Sequence, residues 1–195
     1  IGDNCFMNCS SLSEITIISN SVETIGDSCF WDCTSLVNIT IPNSVTKIDD
    51  ACFAKCTKLT EVTIGNSVET IGMSCFSGCT SLSEITIPNS VTYINNSCFN
   101  GCTSLSEVTI GDSVETIGSE CFRNCTSLSE VTIGDSVETI GSGCFRNCTS
   151  LTTVIISSDA YLIQNNIVSY GENQSLSTDL STGGNAITVT IRAPQ

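Results

Sequence analysis

The 195-residue chain contains no histidine. That absence removes Ser-His-Asp and Cys-His catalysis, imidazole-ligated metal and imidazole pH switching on inventory alone. Basic side chains are scarce as well: six Lys and Arg stand against twenty Asp and Glu, for a net charge of −14. So acidic a chain repels phosphate backbones, which argues against nucleic acid as a partner. It also has no polybasic stretch to hold an anionic membrane surface. No apolar run reaches the length of a membrane span and no secretory leader is visible, so membrane insertion of this stretch is not expected. One Trp and three Tyr leave little aromatic surface for stacking bases or sugars. Ile1 already falls inside a repeat, and we read the sequence as part of something longer.

Cysteine, by contrast, is abundant. All fourteen lie in C-F-x-x-C frames: Cys5 and Cys9, Cys29 and Cys33, Cys52 and Cys56, Cys75 and Cys79, Cys98 and Cys102, Cys121 and Cys125, Cys144 and Cys148. Successive frames are 24 residues apart once and then 23 apart five times. Residues 98–120 and 121–143 differ at three positions, a mark of recent duplication. A unit this short cannot bury its apolar face alone, so the period signals stacked coils.

Each unit carries two hydrophobic patterns. The run "NITI" at Asn38–Ile41 alternates with period two and reads as a short strand, ended by turn residues such as Pro42-Asn43-Ser44. Val45, Ile48, Cys52, Phe53 and Cys56 then fall at the offsets of one helical face. Glycine after the Ile in most units (Gly26, Gly72, Gly118) argues against a continuous helix. The expected unit is an extended piece, a turn, and one helical or 3₁₀ turn carrying C-F-x-x-C. That makes residues 1–156 an α/β repeat solenoid of about seven repeats, the first and last partial. From residue 157 the frame stops. Residues 157–195 have a Ser/Thr/Gly-rich middle and a strand-like end, "AITVTI". They read as a terminal cap or as the start of a flanking β segment.

The unit "CTSLSEITIPNSVTYINNSCFNGC" (Cys79–Cys102) resembles a leucine-rich repeat, and more narrowly the BspA-like class of surface proteins of bacteria and some parasitic protists. The resemblance covers residues 1 to about 156. It implies a right-handed superhelix or horseshoe, with the L-x-x-I-x-I segment as the parallel strand of the concave face and the C-F-x-x-C segment on the convex side. It also implies cell-surface or secreted location, adhesion, and binding of host or matrix proteins. Two departures stand out. The first cysteine of every pair stands where the class usually has Ala. The asparagine ladder of other leucine-rich repeats is missing, with Ser44, Ser67, Ser90, Ser113 and Ser136 at the nearest positions.

Three readings of the cysteines compete: buried free thiols, disulfides, and metal ligands. Two Cys four apart are close enough for a bridge. Yet a loop of that size removes little chain entropy, and stacked side chains point in parallel. Two coils would offer four thiolates to a metal, but the ladder is too uniform for one site. We read the pairs as a structural ladder of small apolar thiols. Fourteen free thiols suit a reducing cytoplasm, whereas the resemblance points to the cell surface, and the sequence leaves both open.

Two further ranks alternate with the buried strand positions. Glu14, Asn38, Glu61, Glu84, Glu107 and Glu130 form one; Thr16, Thr40, Thr63, Thr86, Thr109 and Thr132 form the other. Both are expected to project from the concave sheet as a candidate protein-binding face. Carboxylates stacked at strand spacing repel, so such a face is either well solvated or meets a cation or a basic partner. Trp31, Lys47, Lys55, Lys58 and Tyr93 break the monotony and are candidates for specificity. The carboxylate separation superficially suits a retaining glycosidase, but equivalent carboxylates on an open face lack the distinctive pocket that raises one pKa. No enzyme and no cofactor is expected. The favoured reading is a protein-binding or adhesion module with a basic partner. The alternatives are an intracellular or purely structural array, and ice binding through the Thr rank.

Overall fold

A computed structural model describes residues 1–18, 20–157 and 188–192. The strands, in chain order, begin with β1 (Thr24–Ile25), β2 (Asn38–Thr40), β3 (Lys47–Ile48) and β4 (Glu61–Thr63). They continue with β5 (Thr70–Ile71), β6 (Glu84–Ile87), β7 (Tyr93–Ile94), β8 (Glu107–Ile110) and β9 (Thr116–Ile117). The last are β10 (Glu130–Ile133), β11 (Thr139–Ile140), β12 (Thr153–Ser157) and β13 (Thr188–Arg192). The first coil gives only the two-residue β1; each later coil up to β11 gives a longer strand on one side and a two-residue strand on the other. The two-residue strands stack as one sheet in the order β1-β3-β5-β7-β9-β11. The longer strands form two sheets, β2-β4 and β6-β8-β10-β12-β13. Every pairing is parallel, and Ile85 faces Val108, which faces Val131. The repeat spacing places each residue over its own counterpart, so the architecture is a parallel-strand solenoid.

The core between the sheets is a set of columns. Leu36, Leu59, Leu82, Leu105 and Leu128 are fully buried, as are Ile48, Ile71, Ile94 and Ile117. Seven Phe rings, from Phe6 to Phe145, stack with centroids 5.1 to 5.6 Å apart and planes within 5° of parallel. Apolar alternation in the strands sends Ile85 and Ile87 into this core while Glu84 and Thr86 stay exposed.

The expected helical turn does not form, and the α/β class is corrected accordingly: among the described residues there is no helix. The C-F-x-x-C segment is a chain of tight turns. Trp31 N–H donates to Ser28 O (3.1 Å) and Cys33 N–H to Phe30 O (3.1 Å). The alternate amides reach the next coil instead: Ser28 N–H to Asp50 O (2.9 Å), Phe30 N–H to Cys52 O (2.8 Å), Asp32 N–H to Ala54 O (2.8 Å). A helix would keep these donors within its own coil. Two left-handed residues per coil make the turn chain possible, with φ of 51° at Ser28 and 58° at Asp32. Asn8, Asn124, Asn147, Gly78 and Gly101 occupy the second of these positions, the residue types that tolerate it best.

Strand β13 takes up the end of the "AITVTI" stretch with Arg192 after it, and pairs with β12, Val189 opposite Val154. The Ser/Thr/Gly-rich middle of the tail lies outside the described residues.

Candidate binding face

The longer strands carry the Glu and Thr ranks. Parallel pairing sets Glu84 against Glu107 and Glu107 against Glu130, with Thr86, Thr109 and Thr132 aligned two residues on. The rank ends at β12, where Glu130 faces Thr153 and Thr132 faces Ile155. In the other sheet Asn38 faces Glu61 and Thr40 faces Thr63. Glu14 and Thr16 are exposed in a segment that forms no strand. The described residues contain two ion pairs, Lys47 with Asp49 and Arg123 with Glu120. Neither touches the face, so among the described residues its carboxylates stand in no ion pair.

A hollow of about 440 Å³ lies over the gap between β4 and β6 and reaches β8. Glu61, Thr63, Asn66, Glu84, Thr86, Glu107 and Thr109 line it, with Val62, Ile64, Ile85 and Pro88 beneath. Glu130 and Thr132 lie one strand further along the same face. Trp31 and Tyr93 do not join them. Trp31 sits in the turn chain, where Lys55 Nζ stands 4.7 Å from its ring centroid. Tyr93 belongs to the two-residue strands, between Thr70 and Thr116.

The cysteines lie in the turn segments, outside the strands that carry this face. Cys5 and Cys9 are exposed, and the other twelve are buried as free thiols. The second thiol of a pair donates to the carbonyl of a Phe in the preceding coil: Cys33 to Phe6 (3.1 Å), Cys79 to Phe53 (3.1 Å), Cys148 to Phe122 (3.0 Å). Burial penalises the thiolate and pushes Cys29 up to about 11 and Cys56 and Cys148 to about 12. These sulfurs are therefore poor nucleophiles.

A ladder that sequence reasoning missed runs through the turns. Asp27 N–H donates to Asp3 Oδ1 (2.9 Å), Asp50 N–H to Asp27 Oδ1 (3.0 Å) and Met73 N–H to Asp50 Oδ1 (2.6 Å). Asn43 and Asn89 accept in the same way from Asn66 and Asp112. The inter-coil side-chain ladder expected to be absent is present at other positions. Its signal was the recurrence of Asp or Asn at two places in the repeat, one directly before Ser44, Ser67 and Ser90 and one six residues after the serine, as at Asp27 and Asp50.

Stacked coils, identical residues over one another and a core of Leu, Ile, Phe and Cys columns define the repeat completely. The BspA type leucine rich repeat region matches in six copies, over residues 1–117 and 51–177. The chain belongs to the BspA-type leucine-rich repeat family. Solved relatives of this BspA-type protein agree with it in fold. A leucine-rich repeat protein from Bacteroides ovatus is 31% identical over 80% of this chain and 48% of its own, with a TM-score of 0.68. The Leucine Rich Repeat protein of T. pallidum is 29% identical over 78% of this chain and 76% of its own, with a TM-score of 0.66. The BspA-type chain thus spans about half the length of the Bacteroides protein. No curated protein shows significant similarity to it. Among the described residues no helix is long and apolar enough to cross a membrane.

Proposed function

We propose that this BspA-type repeat is a non-enzymatic binding or adhesion module of a cell-surface or secreted protein, which captures a basic protein through the Glu/Thr face. The observation that carries the reading is the in-register column Glu84–Glu107–Glu130, exposed or half-buried and without a cationic partner among the described residues. Like charges directly opposite on a sheet are destabilising, so such a column is a cost to the fold that a basic partner would offset. The family resemblance supports surface location and protein ligands.

The test is charge reversal, with Glu84→Lys and Glu107→Lys combined in the full chain. Capture of basic proteins should be lost while the circular dichroism spectrum is retained. A silent double variant would favour an array with a purely structural role and would sink the binding reading.

A further inference from the structure

We propose that the hollow between β4 and β6 is the seat of a single arginine side chain presented by the basic partner. The proposal rests on the reading of the Glu/Thr face as a binding surface and narrows it to one place. The sheet of longer strands is interrupted here, because β2 and β4 belong to one ladder and β6 begins another. The two-residue strands of the same coils remain paired, Thr70 with Tyr93 and Ile71 with Ile94. The coils therefore stay stacked on one side while their edges part on the other. The core registers this opening. Val62 and Ile64 on the β4 side are each 8% exposed, against 3% and 1% for Ile85 and Ile87 across the hollow.

Strand edges that part leave backbone donors and acceptors without ladder partners, and these must be met by water or by a ligand. A whole strand would need a gap of about twice the ordinary 4.8 Å spacing, which the intact pairing of β5 with β7 forbids. A single extended side chain needs no such gap. A guanidinium offers five donors in a planar fork, and so can serve the Glu61 and Glu84 carboxylates together with hydroxyl or carbonyl oxygens of the rim. Its methylene stem would cover Val62 and Ile64. An ammonium is a compact, strongly hydrated point charge and cannot bridge the same groups as a fork.

The experiment uses the isotope-labelled full chain at low salt, followed by amide NMR. The probes are a blocked Gly-Arg-Gly peptide, its lysine and citrulline counterparts, and polylysine as a probe of the face as a whole. The arginine peptide should shift the amides of residues 61–64 and 84–87 and bind at least about tenfold more tightly than the lysine or citrulline peptide. Combined Glu61→Gln and Glu84→Gln should weaken it at least about tenfold. Glu115→Gln, exposed just before β9 and off this face, should change it by no more than about twofold. If lysine matches arginine, or Glu115→Gln matters as much as the pair, the seat is overturned and binding follows only the overall charge. If neither polylysine nor the peptide binds, the seat and the reading of the face both fall.

Discussion

The Cys102 thiol donates to the Phe76 carbonyl, 3.2 Å away and 26 residues earlier. The same carbonyl accepts the Cys79 amide at 3.1 Å, so the second cysteine of one coil completes the hydrogen bonding of a core carbonyl in the coil before it. Cysteine here is both a small apolar filler and a donor.

Replacing Cys102 by Ala removes that donor and buried sulfur, and is expected to cost about 1–2 kcal/mol. Cys9→Ala, at the equivalent but exposed position, should change stability by no more than about 0.5 kcal/mol. Urea midpoints of the two variants give the comparison directly. Equal effects would show that the inter-coil bond contributes nothing.

Thiol labelling separates the two populations. Under native conditions Cys5 and Cys9 should react quickly with an alkylating reagent, and the remaining twelve only as fast as the coils open. Denatured without reductant, all fourteen should add the reagent. Missing adducts, read by mass, would mean bridged sulfurs.

Alkaline pH should unfold the protein early. Burial favours the neutral thiol, so folded values rise above the ordinary 9.0, to about 11 at Cys29 and about 12 at Cys56. A raised folded value means that the folded state holds its proton more tightly than the unfolded chain. The stability it confers is complete below pH 9 and is lost as pH climbs from there towards 11 to 12. Each such thiol contributes a decline of about 1.4 kcal/mol per pH unit in that window. Urea midpoints measured from pH 7 upward should stay level to about 9 and then fall steeply; a flat profile to pH 11 would contradict the buried ladder.

Ala51 holds a left-handed conformation with φ of 50°, where a Cβ is unfavourable. Gly143 occupies the same repeat position at 65°. Ala51→Gly should therefore stabilise the protein by about 1 kcal/mol, visible as a raised melting temperature. Destabilisation would mean that the turn chain is not left-handed at this residue.

Glu107 is flanked in register by Glu84 and Glu130. Glu107→Gln should raise stability by about 0.5 kcal/mol at low ionic strength, and the gain should shrink as salt screens the column. Thermal melts at low and high salt check both halves of the expectation.

How much of this was legible in the sequence differs from feature to feature. A 23-residue period dictates parallel stacking, because only identical registers place Leu82 over Leu59 and Phe76 over Phe53. Period-two alternation in "EITI" likewise determines that Glu84 and Thr86 face away from the core. Neither conclusion needs knowledge of the neighbouring coil. The turn chain does. The amide of Phe30 could be satisfied within its own coil, as a helix would do, or by Cys52 O in the next, and local spacing does not distinguish the two. Tertiary stacking chose the second, since the next coil presents a carbonyl at 2.8 to 3.0 Å for each alternate amide. Only the folded chain, too, parts β4 from β6 while leaving β5 and β7 paired, and sends Trp31 and Tyr93 to other faces than the glutamates. The reason is common to all three: repeated sequence says what lies above what, but hydrogen-bond partners between coils are settled by geometry that exists only once the coils are stacked.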